Sequence, residues 1–125
     1  MSSSGKRILV VDDDKINIVT LANFLKPPYE VIVALDGTSA IKSAKQNNPD
    51  MILLDIIMPD MNGFDVFAQL KEFEATKNIP VIFITALDND EIEEKGKTLG
   101  ALDYITKPFD KTIVKTKIDS YFEKG

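Results

Sequence analysis

Five short apolar runs, most of them unbroken by polar residues, recur along a chain of 125 residues: Ile8–Val11, Val31–Leu35, Met51–Leu54, Val81–Ile84 and Leu102–Ile105. A strand wetted on one side alternates apolar and polar residues, whereas a strand covered on both faces does not. Runs of this kind therefore ask for a sheet with helices on each side. The intervening stretches carry the helical period. Ile18, Leu21, Ala22 and Leu25 follow i, i+3, i+4, i+7; Ala40, Ile41 and Ala44 mark a second helix, and Val66, Phe67, Leu70 and Phe73 a third. A more polar, acidic fourth runs about Asn89–Leu99, and Val114, Ile118, Tyr121 and Phe122 stripe a fifth. Pro27-Pro28, Asn47–Pro49, Pro80 and Gly100 punctuate these segments where helices should stop or strands begin. The pattern is α/β, (βα)5, and right-handed crossovers make it a doubly wound, five-stranded parallel sheet. An eight-stranded barrel needs about twice the length.

Composition removes several chemistries. There is no cysteine and no histidine. Disulfides, thiolate or imidazole metal sites and Ser–His catalysis are therefore excluded from this chain. Fifteen Lys and Arg against twenty Asp and Glu leave a net charge of −5, which argues against direct binding of a nucleic-acid backbone. The four apolar residues Ile8 to Val11 are too few for a signal-peptide core, and no run reaches membrane-spanning length. A cytoplasmic protein without a membrane partner is expected. Residues 1–5 read as a mobile N-terminal tail and residues 6–125 as one domain.

In open parallel sheets, ligands bind beyond the carboxyl ends of the strands. Asp12, Asp13 and Asp14 follow the first run, and Asp55 the third. Thr85 follows the fourth, and Thr106, Lys107 and Pro108 the fifth. Carboxylates gathered at one edge resist ionising together, and a divalent cation relieves that conflict. All-oxygen donors suit Mg²⁺, and Mn²⁺ fits the same set. Lys107 and the metal would cancel the charge of an incoming phosphoryl group, and a carboxylate can attack phosphorus. Each aspartate alone also suits a cap or turn, and Asp14 before Lys15-Ile16 is placed to be an N-cap.

Four ordered segments carry a closer likeness. They are Ile8 to Asp14 (ILVVDDD), Leu53 to Gly63 (LLDIIMPDMNG), Pro80 to Ala86 (PVIFITA) and Gly100 to Phe109 (GALDYITKPF). Together the chain resembles the receiver domains of two-component response regulators, from about Lys6 to Phe122. The resemblance implies a flavodoxin-like fold with strand order 2-1-3-4-5. It implies that Asp55 accepts a phosphoryl group from a sensor histidine kinase or phosphotransfer protein. Asp13, Asp55 and the backbone carbonyl of Ile57 would hold Mg²⁺, with Asp12 reaching it largely through water. Lys107 would pair with phosphoryl oxygens, Thr85 would hydrogen-bond them, and Tyr104 would swing as a switch. The Lys107–Pro108 bond would be cis. Such a domain is a signalling module rather than an enzyme, although it assists its own phosphorylation and dephosphorylation.

Other readings follow from the same residues. Asp12 to Ile16 also resembles the start of haloacid-dehalogenase-type phosphatases, with Asp12 as nucleophile and Asp14 as acid. A flavin or nucleotide module would need a phosphate-cradling loop where this chain has three aspartates. An output domain or effector protein is the expected downstream partner. The segments around Thr85 and Lys107 are similar to receivers placed ahead of cyclic-di-GMP synthesis or breakdown domains. The chain ends soon after its fifth helix, so a stand-alone regulator and one part of a longer protein are both expected forms. An acidic fourth helix (Asp90, Glu91, Glu93, Glu94) and a lysine-bearing fifth (Lys111, Lys115, Lys117) suit a solvated surface first, and also a face that mates across a two-fold homodimer. Ile57 and Leu87, apolar residues flanking the line of water attack, are expected to slow hydrolysis of the aspartyl phosphate.

Overall fold

The computed structural model describes residues 5–86 and 90–124. Ten elements alternate: β1 Arg7–Val11, α1 Lys15–Leu25, β2 Glu30–Ala34, α2 Gly37–Asn47, β3 Met51–Asp55, α3 Gly63–Leu70, β4 Val81–Thr85, α4 Asp90–Leu99, β5 Asp103–Thr106 and α5 Lys111–Lys124. All strand pairs are parallel, in the order β2-β1-β3-β4-β5 that the resemblance implies.

The unbroken apolar runs have a direct cause. In a strand, successive side chains point to opposite faces. Leu9, Val11, Ile52, Leu54 and Phe83 point to one face, where Ala40, Ala44, Val66, Phe67 and Leu70 of α2 and α3 cover them. Ile8, Val10, Met51, Leu53, Ile82 and Ile84 point to the other, beneath Leu21 and Leu25 of α1 and Val114 and Ile118 of α5. Both faces are dry only in β1, β3 and β4. The edge strands are half covered, and Val33 of β2 is exposed.

Several boundaries differ from the sequence reading, and β1, β3 and β4 each take in one polar residue beside the run, Arg7, Asp55 and Thr85. β2 and β5 each lie one residue from the apolar run. Leu35 and Leu102 fall outside the ladders and are exposed, whereas polar Glu30 and Thr106 pair within them. Strand ends follow the register of the partner strand rather than the apolar count. The third helix stops at Leu70 and does not reach Phe73. The Thr76 hydroxyl donates to the Leu70 carbonyl at 2.6 Å and closes that helix end. Phe73 still packs against the core from the turn that follows, with Lys45 Nζ 3.5 Å from its ring centroid. Asn89, the expected start of the fourth helix, and residues 1–4 of the expected tail lie outside the described residues.

Helix ends are capped by their own sequence. Asp14, Asp36, Asn62 and Asp110 accept backbone N–H bonds from the first turns of α1, α2, α3 and α5. Gly100, at φ +103°, ends α4, with its N–H on Lys97 O and that of Ala101 on Gly96 O. The Lys107–Pro108 bond is cis, as is Pro27–Pro28. Among the described residues, no helix is long and apolar enough to cross a membrane.

Candidate functional site

Parallel register brings the strand ends level. Val11 pairs with Leu54, Asp55 with Ile84, and Thr85 with Thr106. The residues just beyond therefore share one edge. Asp12 N–H donates to Ala34 O at 3.2 Å, and Lys107 N–H to Thr85 O at 2.8 Å.

Asp12, Asp13 and Asp55 each present a carboxylate oxygen within 4.8 Å of the others. Asp12 and Asp55 are buried, whereas Asp13 faces solvent. Lys107 Nζ lies 3.0 Å from Asp12 Oδ2 and 3.4 Å from Asp55 Oδ2. Burial, then the charge on Asp12, pushes the Asp55 carboxyl up to about 6, and Lys107 only partly offsets them. Burial of Lys107 works against its own charge. The hydrogen bond to Asp12 and the charges on Asp55 and Asp12 outweigh it and raise its pKa. The edge thus carries three carboxylates against one ammonium, a deficit that a hard cation fits.

Thr85, wholly buried, ends β4 one residue beyond the pair Asp55–Ile84. Ile57 follows on the loop after β3 with an exposed side chain. Asp14 caps α1, taking Ile16 N–H at 2.9 Å, and is absent from the carboxylate group. The general acid of the phosphatase reading is thus held as a helix cap. Leu87 lies outside the described residues. Tyr104 stands apart from the carboxylates, half-buried on β5 between α4 and α5. It hydrogen-bonds Glu93, which holds that carboxyl below its usual range. Lys117 Nζ sits 5.5 Å from the Tyr104 ring centroid and 3.1 Å from both Asp103 carboxylate oxygens.

Two residues carry site contacts that the sequence reading assigned no role. Asn17 Nδ2 donates to Asp12 Oδ2 at 3.2 Å. Asp60 accepts from Gly37 N at 3.0 Å and Thr38 N at 3.1 Å, tying the loop after β3 to the start of α2. The Gly37 bond is the first cause of the lowered pKa of Asp60. The available signal was positional: a short polar residue one turn into the first helix, and an acid within the loop after Asp55.

That loop also explains Gly63. Its N–H donates to Ile56 O at 2.7 Å, and a Cβ there would stand 2.3 Å from Asp55 O and 2.9 Å from Ile56 Cα. Backbone atoms cannot step aside as a flexible side chain can. Gly63→Ala is therefore expected to cost about 1–3 kcal/mol of stability, read as a lower midpoint in urea. An unchanged midpoint would show that the loop yields freely.

A family model for the response regulator receiver domain matches residues 8–119. The chain is 44% identical over 115 residues to Response regulator PleD of Caulobacter vibrioides, an alignment covering 91% of this chain and 25% of that protein. It is 38% identical over 116 residues to a probable cyclic di-GMP phosphodiesterase of Vibrio cholerae, covering 93% and 26%. The chain thus spans about a quarter of the length of these relatives. The solved receiver domain of a sensor histidine kinase from Pseudomonas aeruginosa PAO1, with magnesium coordinated in its active-site cleft, matches at TM-score 0.85 and 27% identity. That match covers 98% of this chain and all of the other.

Proposed function

Since the chain belongs to the response regulator receiver domain family, we propose that it accepts a phosphoryl group on Asp55 from a sensor histidine kinase or phosphotransfer protein. The observation that carries this reading is the buried Asp55 carboxylate, shared by Lys107 with Asp12, at the carboxyl edge of the sheet. An Asp55 oxygen attacks phosphorus, the bond to the donor nitrogen breaks, and the donor imidazole keeps the electron pair. Lys107 pairs with the phosphoryl oxygens as they arrive, and the Thr85 hydroxyl donates to one of them. Asp13, Asp55 and the Ile57 carbonyl would hold Mg²⁺, with Asp12 beside them acting largely through water, and the cation would supply countercharge for the acceptor and the phosphoryl group. Mn²⁺ suits the same donors. The exposed Ile57, with Leu87, offers no hydrogen bond to an attacking water, which favours a long-lived aspartyl phosphate.

The signal leaves through α4, β5 and α5, with Thr85 and Tyr104 moving together. The bond from Tyr104 to Glu93 defines the resting pose. That face carries acids on α4 and lysines on α5, a pattern suited to a two-fold homodimer or to an output domain or effector protein. The net charge of −5 speaks against nucleic acid as a direct partner, and a cytoplasmic setting with no membrane contact fits the same surface. The domain spans residues 6–125.

Titrating Mg²⁺ into wild type is expected to raise the Tm by ligand linkage, and to do so far less in Asp13→Ala. Adding beryllofluoride should then perturb the Tyr104 resonances and, in sedimentation, shift monomer toward dimer. Equal metal shifts in both proteins would remove Asp13 from the site. Unchanged Tyr104 resonances would remove the switch.

A further inference from the structure

Asp12 is wholly buried, so the donors that hold its carboxylate matter. Its Oδ1 accepts the Asp14 N–H at 2.9 Å. Its Oδ2 is shared by Asn17 Nδ2 at 3.2 Å and Lys107 Nζ at 3.0 Å. Asn17 reaches this oxygen for a simple geometric reason. It lies in the first turn of α1, just after the Asp14 cap, and helical side chains lean back toward the N-terminus. That lean carries the carboxamide over the end of β1.

Lys107 has two demands on it. At rest its ammonium is closer to Asp12 than to Asp55. When a phosphoryl group stands on Asp55, that ammonium is needed on the phosphoryl oxygens, and Asp12 Oδ2 loses its nearer donor. A buried carboxylate stripped of donors opposes the transfer. We propose that Asn17 is a positioning residue of the phosphoacceptor site: its carboxamide is the standing donor to Asp12 Oδ2 that releases Lys107 to the phosphoryl group. This rests on the phosphoacceptor reading of Asp55. A carboxamide suits the task because it is neutral. It satisfies the oxygen without competing for the phosphoryl group and without repelling a cation from Asp13 and Asp55. It acts through Asp12 and Lys107 and does not itself meet the phosphorus.

The experiment uses the full chain and calorimetry. Mg²⁺ alone is titrated first, and beryllofluoride is then titrated into Mg²⁺-saturated protein. Wild type, Asn17→Ala, Asn17→Gln, Lys107→Met and the Asn17→Ala, Lys107→Met double variant are compared. Loss of one hydrogen bond to a charged group predicts roughly tenfold weaker beryllofluoride binding in Asn17→Ala. Mg²⁺ affinity should stay within about twofold, well inside that change. Asn17→Gln keeps the donor and should recover part of the loss. In the Lys107→Met background, Asn17→Ala should add nothing, because its effect passes through Lys107.

A merely structural tether gives a different pattern. Asn17→Ala would then melt lower, lose Mg²⁺ and beryllofluoride affinity together, and add its full effect to Lys107→Met. That result, or an unchanged beryllofluoride affinity in Asn17→Ala, overturns the proposal while leaving Asp55 as acceptor. Failure of wild type itself to bind beryllofluoride in the presence of Mg²⁺ overturns the phosphoacceptor reading and this proposal with it.

Discussion

Asp55→Asn is expected to take up no phosphoryl group from a small acyl-phosphate donor, and yet to melt higher than wild type in metal-free buffer. The carboxamide fills the same space but offers no carboxylate oxygen to attack phosphorus. Its stability gain has a separate origin. Asp55 is 2% exposed and lies beside the wholly buried Asp12, with one lysine between them. Burial and the Asp12 charge hold its proton up to about 6, against an ordinary value of 3.8. Between those values the folded chain binds a proton that the unfolded chain has released. Stability from this group is therefore full in acid and is lost as pH rises through about 6, by up to roughly 3 kcal/mol. Asn at this position carries no such charge. Wild-type Tm should fall between about pH 4 and pH 6.5, and the Asp55→Asn curve should stay flatter there. Labelled Asp55→Asn, or parallel melting curves, would defeat the two halves of this expectation separately.

The parts of the fold that the sequence discloses are those whose surroundings are uniform. β1, β3 and β4 lie under helices on both faces, so nearly every position in them must be apolar, and the runs stand out. β2 and β5 border solvent, so Glu30 and Thr106 pair as well as an apolar residue would, and their limits shift by one. Phe73 satisfied a helical period while sitting in a turn, because burial rewards its ring whatever the backbone does. The end of α3 is decided instead by a hydroxyl six residues beyond Leu70.

The site divides in the same way. Asp12, Asp13, Asp55, Thr85 and Lys107 follow directly from strand ends, so strand prediction alone delivers them to one edge. Asn17 and Asp60 do not sit at strand ends. Their contacts depend on how α1 leans over β1 and how the loop after β3 meets α2, and spacing does not encode those crossings. Asp14 shows the converse. It belongs to the same acidic triplet, but the start of α1 claims its carboxylate.

Lys107→Met is expected to produce the largest loss of stability in the metal-free protein. Its ammonium is the single cation paired with Asp12 and Asp55 among the described residues, and its side chain is only 19% exposed. Removing one partner from a buried ionic cluster leaves charge uncompensated, a change that typically costs about 3–5 kcal/mol. The full value should not be reached in acid. Without Lys107 the proton on Asp55 is held more firmly still, because the ammonium is what lowers that pKa against burial and Asp12. At low pH the cluster neutralises itself and the loss shrinks, while toward neutral pH Asp55 ionises and the loss grows. The sign is set by the raised pKa: stability held in acid is surrendered as pH climbs. Mg²⁺ should then rescue Lys107→Met more than it helps wild type, because the metal restores a countercharge to the carboxylates. Urea unfolding of both proteins at acid and neutral pH, with and without Mg²⁺, measures each part. A loss independent of pH, or one that Mg²⁺ leaves untouched, would mean that Lys107 stabilises the edge through the packing of its aliphatic stem rather than through its charge.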